Sequence, residues 1–538
     1  MGFFTLLSQI LALFRDRFIA HFIGPSANLD AYYASFRVPD LIYISISSLA
    51  SITVLIPFIA LKMEGNKATP ESKKFLNDVF TVFLGTMIVV SIIAFFLMPY
   101  LISFTAPGFS AVMKEKVILF SRIMLLSPIL MGLSNLFGTI TQLFRKFFIY
   151  SLSPIFYNLG IISGILFFYP IFGGLGLVYG VVLGAFFHFL IQLIASLGCG
   201  FSIKFSLNIN FQDIKKAVII SLPRTLGISF NSIALICIIA FASYLSSGSI
   251  SIFNLSFNLQ SVPLNIIGIS YAVAAFPTLV KSISIGKMEE FKKHLKSAAR
   301  QIVFWSLPAA FLFIVLRAQI VRVILGSGTF SWDNTRLVAA TLAVFSVSIL
   351  AQGMTALLSR AYYAKGDTKR PLTINFICSL LIIVLAYVFI QIFGHFPMFR
   401  YFIESLLKVE DIHGTEVLML PLAYSTGTVL NFILHWIYVK KDFMSKEDFI
   451  FKTFFQSIGA SFFIASVAYV SLNILSSILD TTTFLGIFFQ GFLSGILGIG
   501  AGILVLYLLK SEELFDLVKS FQAKVWKAKI VLPVQEEL

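Results

Sequence analysis

An all-α integral membrane protein of about fourteen transmembrane helices is the fold that this sequence predicts, and three observations predict it. Hydrophobic residues fill 58% of the 538 positions and charged residues only 12%, about half the charge of a soluble domain. The mean hydropathy of +0.93 is more than a soluble fold of this length could cover, so lipid must be the solvent. The basic residues sit in short loops between apolar runs. The formal net charge of +15 therefore reads as topology signals and contacts with anionic lipid headgroups, and no nucleic-acid partner is expected.

A span needs ~20 apolar residues. Runs of that kind fall at 3–23, 31–60, 76–102, 117–143, 150–169, 175–198, 217–245, 251–280, 299–325, 335–363, 371–394, 415–438, 453–477 and 484–509. The second, eighth and tenth runs are long and hold internal Pro or polar residues, which predicts bends or tilt. An even number of spans puts both ends of the chain on one side. Loops after even-numbered runs carry Lys62, Lys67, Lys73, Lys74, Arg145, Lys146, Lys204, Lys281, Lys287, Lys365, Lys369, Arg370, Lys440 and Lys441, among others. The opposite loops hold little beyond Lys114, Lys116, Arg400 and Lys408. The positive-inside rule then places both termini on the cytoplasmic side of the membrane. Residues 281–300 are basic with a helical pattern and predict a helix along the cytoplasmic surface. Residues 395–414 form the longest external loop, and the tail from Lys510 to Leu538 reads as an interfacial helix. Arg15, Asp16 and Arg17 interrupt the first 24 residues where a cleavable signal would be clean. The abrupt apolar start is what a chain short of a few N-terminal residues would show.

A charge at span depth is expensive and marks a functional site by default. The charges cluster in the first two runs: Arg15, Asp16, Arg17, Asp30, Arg37 and Asp40. Arg15 lies ~18 Å along a helix from residue 3, well past the membrane edge. Adjacent helical residues do not face each other, so Arg15 and Asp16 are expected to meet different surroundings or a wet cavity. Asp30 and Arg37, seven apart, share a helical face. Two readings stay open. One is a set of mutual ion pairs holding two helices together. The other is a hydrated cavity that binds an anionic headgroup, with Arg15, Arg17 and Arg37 as phosphate donors and Arg224 as a further basic candidate. Asp16, Asp30 and Asp40 are the candidate gating or coupling carboxylates, and Asn375 is a polar candidate in the eleventh run.

Motifs of enzymes are missing from the loops, so no catalytic residue, metal ligand or cofactor is expected. Cys199, Cys237 and Cys378 match no metal or disulfide framework, and His188 reads as a hydrogen-bonded packing residue in a span.

Several strings in order and spacing resemble the MurJ (MviN) family, the lipid II flippases of the MOP exporter superfamily. They are RDRFIAHFIGPSANLDAYYASFRVPD at 15–40, FTAPGF at 104–109 with Pro107 and Gly108, PIFYN at 154–158, PRTLG at 223–227 and GSGTFSWDNT at 326–335. LSRAYYAKGDTKRP at 358–371 is the most specific, with Arg360 at the end of a span, then Gly366, Asp367 and Pro371. The resemblance implies two pseudo-symmetric six-helix lobes, here 1–200 and 201–440. It adds two C-terminal helices in 441–510 that form a groove for a lipid tail, and a cytoplasmic tail at 511–538. It implies a polyprenyl-diphosphate-linked disaccharide pentapeptide as substrate, moved to the outer face by alternating access without covalent chemistry. The partners it implies are this lipid-linked anion, membrane lipids and cell-wall synthesis proteins. Of the family's four places for cavity arginines, only Arg15 matches; the others read Ser8-Gln9, Tyr43-Ile44 and Phe257-Asn258. The acid of the sodium site falls near Ile238. These departures leave two alternatives: an exporter of another lipid-linked oligosaccharide or small amphipathic substrate, and a non-transporting scaffold for cell-wall synthesis.

Overall fold

The computed structural model describes residues 2–47, 69–144, 146–199, 204–206, 208–443 and 450–526, together with Leu55, Ile59 and Lys62. Helices are the regular elements, with no strand among the described residues. Three helices open the chain: α1 (Gly2–Phe22), α2 (Ala27–Ser35) and α3 (Arg37–Ser47). Ser26 starts α2 by accepting a bond from the Leu29 N–H. Phe36, between α2 and α3, keeps right-handed helical dihedrals. α4 (Pro70–Thr105) begins on a capping box of Thr69 and Ser72, with Pro70 at its first position. Then come α5 (Ala111–Met124), α6 (Leu126–Leu143), α7 (Phe147–Ser163), α8 (Tyr169–Phe172) and α9 (Gly174–Leu197). α10 (Phe211–Ala242) is followed by α11 (Ser249–Pro263), α12 (Ser270–Ser284), α13 (Met288–Val315) and α14 (Arg317–Ile324). α15 (Trp332–Ser346), α16 (Ile349–Ala364), α17 (Lys369–His395), α18 (Pro397–Leu407) and α19 (Met419–Phe443) lead to the last three, α20 (Phe451–Ser476), α21 (Phe484–Leu508) and α22 (Glu512–Trp526).

Among the described residues, eleven helices are long and apolar enough to cross a membrane, or twelve if α15 and α16 count as one broken span. Each matches one of the expected runs. The expected count of about fourteen is not reached because the first two runs fail that test. α1 carries Arg15, Asp16 and Arg17 within its 21 residues; α2 and α3 carry Asp30, Arg37 and Asp40, and apart from Leu55 and Ile59 the second run beyond Ser47 lies outside the described residues. The predicted bends have visible causes. The eighth run passes through a π-helical turn, Leu264–Ile269, directly after Pro263. The tenth is interrupted between Ser346 and Ile349. One expectation changes: the basic stretch 281–300 is not a separate surface helix. It breaks at Gly286, whose φ of +72° suits glycine, and α13 then runs without interruption into apolar sequence.

The chain divides into two compact units. The first comprises Met1–Val262, Val321–Ser348 and Gly366–His435. Within it, α7 and α9 meet at a ladder of small residues. A Cβ placed on Gly164 would sit 2.4 Å from the Gly180 Cα, and one on Gly160 would sit 2.3 Å from the Gly184 Cα. Lipid provides no hydrophobic drive between helices, so this backbone approach supplies the packing that holds the pair. Gly108 is likewise pressed on the Ser243 backbone, and its N–H donates to Ser243 Oγ at 2.9 Å.

The second unit comprises Pro263–Ile320, Ile349–Lys365 and Trp436–Leu538. Gly498 and Gly502 of α21 lie against Ile464 of α20 in the same close manner. A polar knot ties α13, α20 and α22. Arg300 donates to Glu513 and to Glu512, each at 2.6 Å, Thr453 donates to Glu513 at 2.5 Å, and Lys452 reaches Glu512 at 3.1 Å. Burial pushes the Glu513 carboxyl up, but the bonds from Thr453 and Arg300 outweigh it and hold the group below the usual carboxylate range. The expected tail helix is therefore pinned at its start by charge and hydrogen bonds; residues 527–538 lie outside the described residues.

Candidate functional site

A cavity of about 230 Å³ lies in the first unit, lined by α1, α2, α3, α7 and α11. Its polar wall holds Arg15, Asp16, Arg37, Asp40, Asn254 and Asn258, and its apolar and aromatic wall holds Ile19, Tyr32, Tyr33, Phe36, Tyr157, Ile161 and Phe257. Four of the six charges in the first two runs thus converge on one space. Two are guanidinium groups and two are carboxylates, so the formal charge of the lining is balanced.

Arg15 and Asp16 meet directly. Arg15 Nε and Nη2 both donate to Asp16 Oδ1, at 2.9 and 2.7 Å. Of the two expected alternatives, different surroundings or a cavity, the two residues take the cavity, and the long guanidinium arm folds back onto its neighbour. An asparagine closes each end of the pair. Arg15 Nη1 donates to Asn158 Oδ1 at 3.3 Å, and Asn258 Nδ2 donates to Asp16 Oδ2 at 3.1 Å. Asp16 is 2% exposed, and these partners are what make a carboxylate tolerable there.

Asp30 and Arg37 do share a face, but they do not pair with each other. Asp30 accepts three bonds at the start of α11: from the Gly248 N–H at 2.6 Å, the Ser251 N–H at 2.7 Å and Ser251 Oγ at 2.6 Å. A carboxylate there satisfies orphan donors and complements the helix dipole. Arg37 Nη2 donates to Asn254 Oδ1 at 2.5 Å. Gly248, Ser251, Asn254 and Asn258 therefore form one stripe at helical spacing, and that stripe receives Asp30, Arg37 and Asp16 in turn. The stripe was readable as polar residues three and four apart in an apolar run. Asn158 carried a weaker signal as the last residue of PIFYN.

The other candidates lie elsewhere. Arg17 is not in the lining; its Nη1 donates to the carbonyls of Val323 and Ile324, at 2.5 and 3.4 Å, and so closes the C-terminal end of α14. Arg224 is in α10, but its side chain lies outside the described residues. Asn375 accepts from Asn431 Nδ2 at 3.0 Å, away from the cavity. Arg360 Nη1 donates to the Ala356 carbonyl at 2.9 Å. Gly366 has a φ of +83°, Asp367 Oδ1 receives the Lys369 and Arg370 N–H groups, and Pro371 is buried in the first turn of α17. These last residues shape a turn and a helix start. His188 takes its expected packing role, with Nδ1 2.7 Å from Ser134 Oγ.

The sequence profile of the family described as "Lipid II flippase MurJ" matches residues 19–490. The chain belongs to the MurJ family. A probable lipid II flippase MurJ of Buchnera aphidicola subsp. Acyrthosiphon pisum (strain APS) is 30% identical over 70% of this chain and 74% of its own. A solved structure of a lipid II flippase MurJ in an inward closed conformation covers 96% of this chain and 99% of its own, with a TM-score of 0.74 at 21% identity. An inward-facing multidrug resistance MATE family transporter of the MOP superfamily covers 81% of this chain and 94% of its own, with a TM-score of 0.64 at 15% identity. At these identities the two structures show a shared fold. Family membership thus makes the chain a multi-pass membrane protein of a bacterial flippase family.

Proposed function

We propose that the chain moves lipid II, a polyprenyl-diphosphate-linked peptidoglycan precursor, from the cytoplasmic to the outer face of the bacterial inner membrane by alternating access. Family membership supports the substrate, and the observation that carries the mechanism is the cavity at Arg15 and Arg37. A diphosphate cannot cross a low-dielectric interior without cations or several donors. In this reading Arg15 contacts the headgroup first in importance and Arg37 second. Arg17 is left to its carbonyl partners, and Asp30 holds the outward gate through α11. The lobes at 1–200 and 201–440 rock about the site, and the helices of 441–510 receive the lipid tail. Both termini face the cytoplasm, where the lysine-rich loops meet anionic lipid. The step involves no covalent chemistry. Complementation of a flippase-depleted strain tests it. Arg15→Ala is expected to abolish growth while the protein still reaches the membrane, and normal growth would remove Arg15 from the role.

The balanced charge of the lining favours a second reading, a different lipid-linked saccharide with a less anionic head. Binding of purified protein to lipid II and to other polyprenyl-linked sugars separates the two. A preference for lipid II supports the first, and its lack supports the second.

A further inference from the structure

Two polar atoms of the cavity wall are unaccounted for by the contacts described above. Tyr33 is 8% exposed, and its hydroxyl has no hydrogen-bond partner among the described residues. Arg37 Nε is in the same condition, although Nη2 of that guanidinium is engaged by Asn254. Both residues line the cavity. They stand at i and i+4 across Phe36, whose helical dihedrals keep the chain turning, so they are neighbours on one face. Buried polar groups are almost always paired, and an exception at a cavity wall calls for a reason. Packing supplies none, since a phenylalanine ring would fill the same place without stranding a hydroxyl. Both side chains border the cavity, so a ligand held there can bring the missing acceptor within reach.

We propose that Tyr33 Oη and Arg37 Nε form a subsite for an anionic oxygen of the diphosphate head, separate from the Arg15–Asp16 pair. Tyr33 is then a specificity-determining residue: its hydroxyl is worth having only when a charged acceptor is present. The proposal rests on the reading of this cavity as the headgroup site.

The test uses the full chain in lipid nanodiscs, as wild type, Tyr33→Phe and Arg15→Ala. Binding of undecaprenyl diphosphate, lipid II and uncharged undecaprenol is measured, together with the thermal midpoint of the empty protein. Loss of one hydrogen bond to a charged group predicts that Tyr33→Phe binds both diphosphates about 10- to 100-fold more weakly. Undecaprenol binding is expected to be unchanged. The empty variant is expected to melt at the same temperature or higher, because an orphan hydroxyl has been removed. Unchanged diphosphate binding overturns the subsite, as does equal loss for undecaprenol. A lower midpoint of the empty protein shows a structural bond instead and overturns it too. A loss seen with lipid II but not with undecaprenyl diphosphate assigns the hydroxyl to the sugar or peptide and also overturns it. Arg15→Ala separates the two levels of inference. If it binds diphosphates as wild type does, the headgroup reading of the cavity fails; if it loses them while Tyr33→Phe does not, only the subsite fails.

Discussion

Asp30→Ala is the perturbation whose consequence the structure fixes best. The carboxylate is 3% exposed and takes three bonds from Gly248 and Ser251, all between 2.6 and 2.7 Å. Hydrogen bonds to a charged group contribute roughly 1.5–3 kcal/mol each, and neighbours are not additive. Taking the low end for each of the three gives about 4.5 kcal/mol, or about 4 kcal/mol once non-additivity is discounted, for the junction of α2 with the start of α11. Removing the side chain also strands two backbone N–H groups at a helix N-terminus. A two-state opening of that junction would shift by about a thousandfold for 4 kcal/mol. Amide hydrogen exchange reads this directly. The Gly248 and Ser251 amides should exchange faster by two to three orders of magnitude in Asp30→Ala, while amides of α9 stay protected. Asp30→Asn should fall between, since its one oxygen accepts while its amide faces donors. Unchanged protection at Gly248 and Ser251 in the alanine variant would refute the reasoning, because it would mean that the carboxylate carries no share of the junction.

Two further predictions follow from geometry elsewhere. Gly180→Leu places a side chain where a Cβ already meets the Gly164 Cα at 2.6 Å, so α7 and α9 must separate; a cost of about 3 kcal/mol and a clear drop in the thermal midpoint are expected, and an unchanged midpoint would count against the ladder. Asp411 accepts from Arg336 Nη1 and Nη2 at 2.9 and 2.6 Å, and that guanidinium holds its carboxyl below the usual carboxylate range. A depressed carboxylate contributes stability that is present above its unfolded pKa of about 3.9 and is lost as pH falls through the lower folded value. Asp411→Asn should therefore melt below wild type at neutral pH and converge with it under acid, whereas a gap independent of pH would argue that the contact is not ionic.

The spans were legible because lipid imposes length and apolarity on each helix independently of its neighbours. The exceptions are informative. α1 fails the test of apolarity through Arg15, Asp16 and Arg17, and the described part of the second run fails through Asp30, Arg37 and Asp40. Within the site, the cluster of charges was visible but its pairing was not. Asp30 finds its partners 218 and 221 residues away, and no local spacing announces that. Other features were present and unread. Arg15 and Arg17 are two apart, so a helix points them to different sides, one to the cavity and one to the end of α14. The spacing of Gly160 with Gly164, and of Gly176 with Gly180 and Gly184, already spells a close helix pair. The stripe of Ser251, Asn254 and Asn258 spells a polar face.

The two guanidinium groups of the cavity are not held alike, and the difference bears on how an anion would be met there. Asp16 holds Arg15 through two bonds and is itself held by Asn258, with Asn158 on the far side of the guanidinium. Dismantling a knot of that kind costs about 3–5 kcal/mol when one partner is removed. Among the described residues Arg37 is held by one bond, to Asn254, and its Nε has no partner, and Asp40 is exposed. Redirecting Arg37 gives up roughly 1.5–3 kcal/mol and gains a partner for an orphan donor. On the proposed reading, an arriving diphosphate meets least resistance on the Arg37 and Tyr33 side, and Arg15 reaches it by giving up the 3.3 Å bond from Nη1 to Asn158 while staying joined to Asp16. This ordering also explains why Tyr33→Phe is the sharper probe. Arg15→Ala removes a candidate contact and in the same stroke leaves Asp16 buried without its cation, so binding and folding respond together. Tyr33→Phe removes a hydroxyl that has no partner among the described residues.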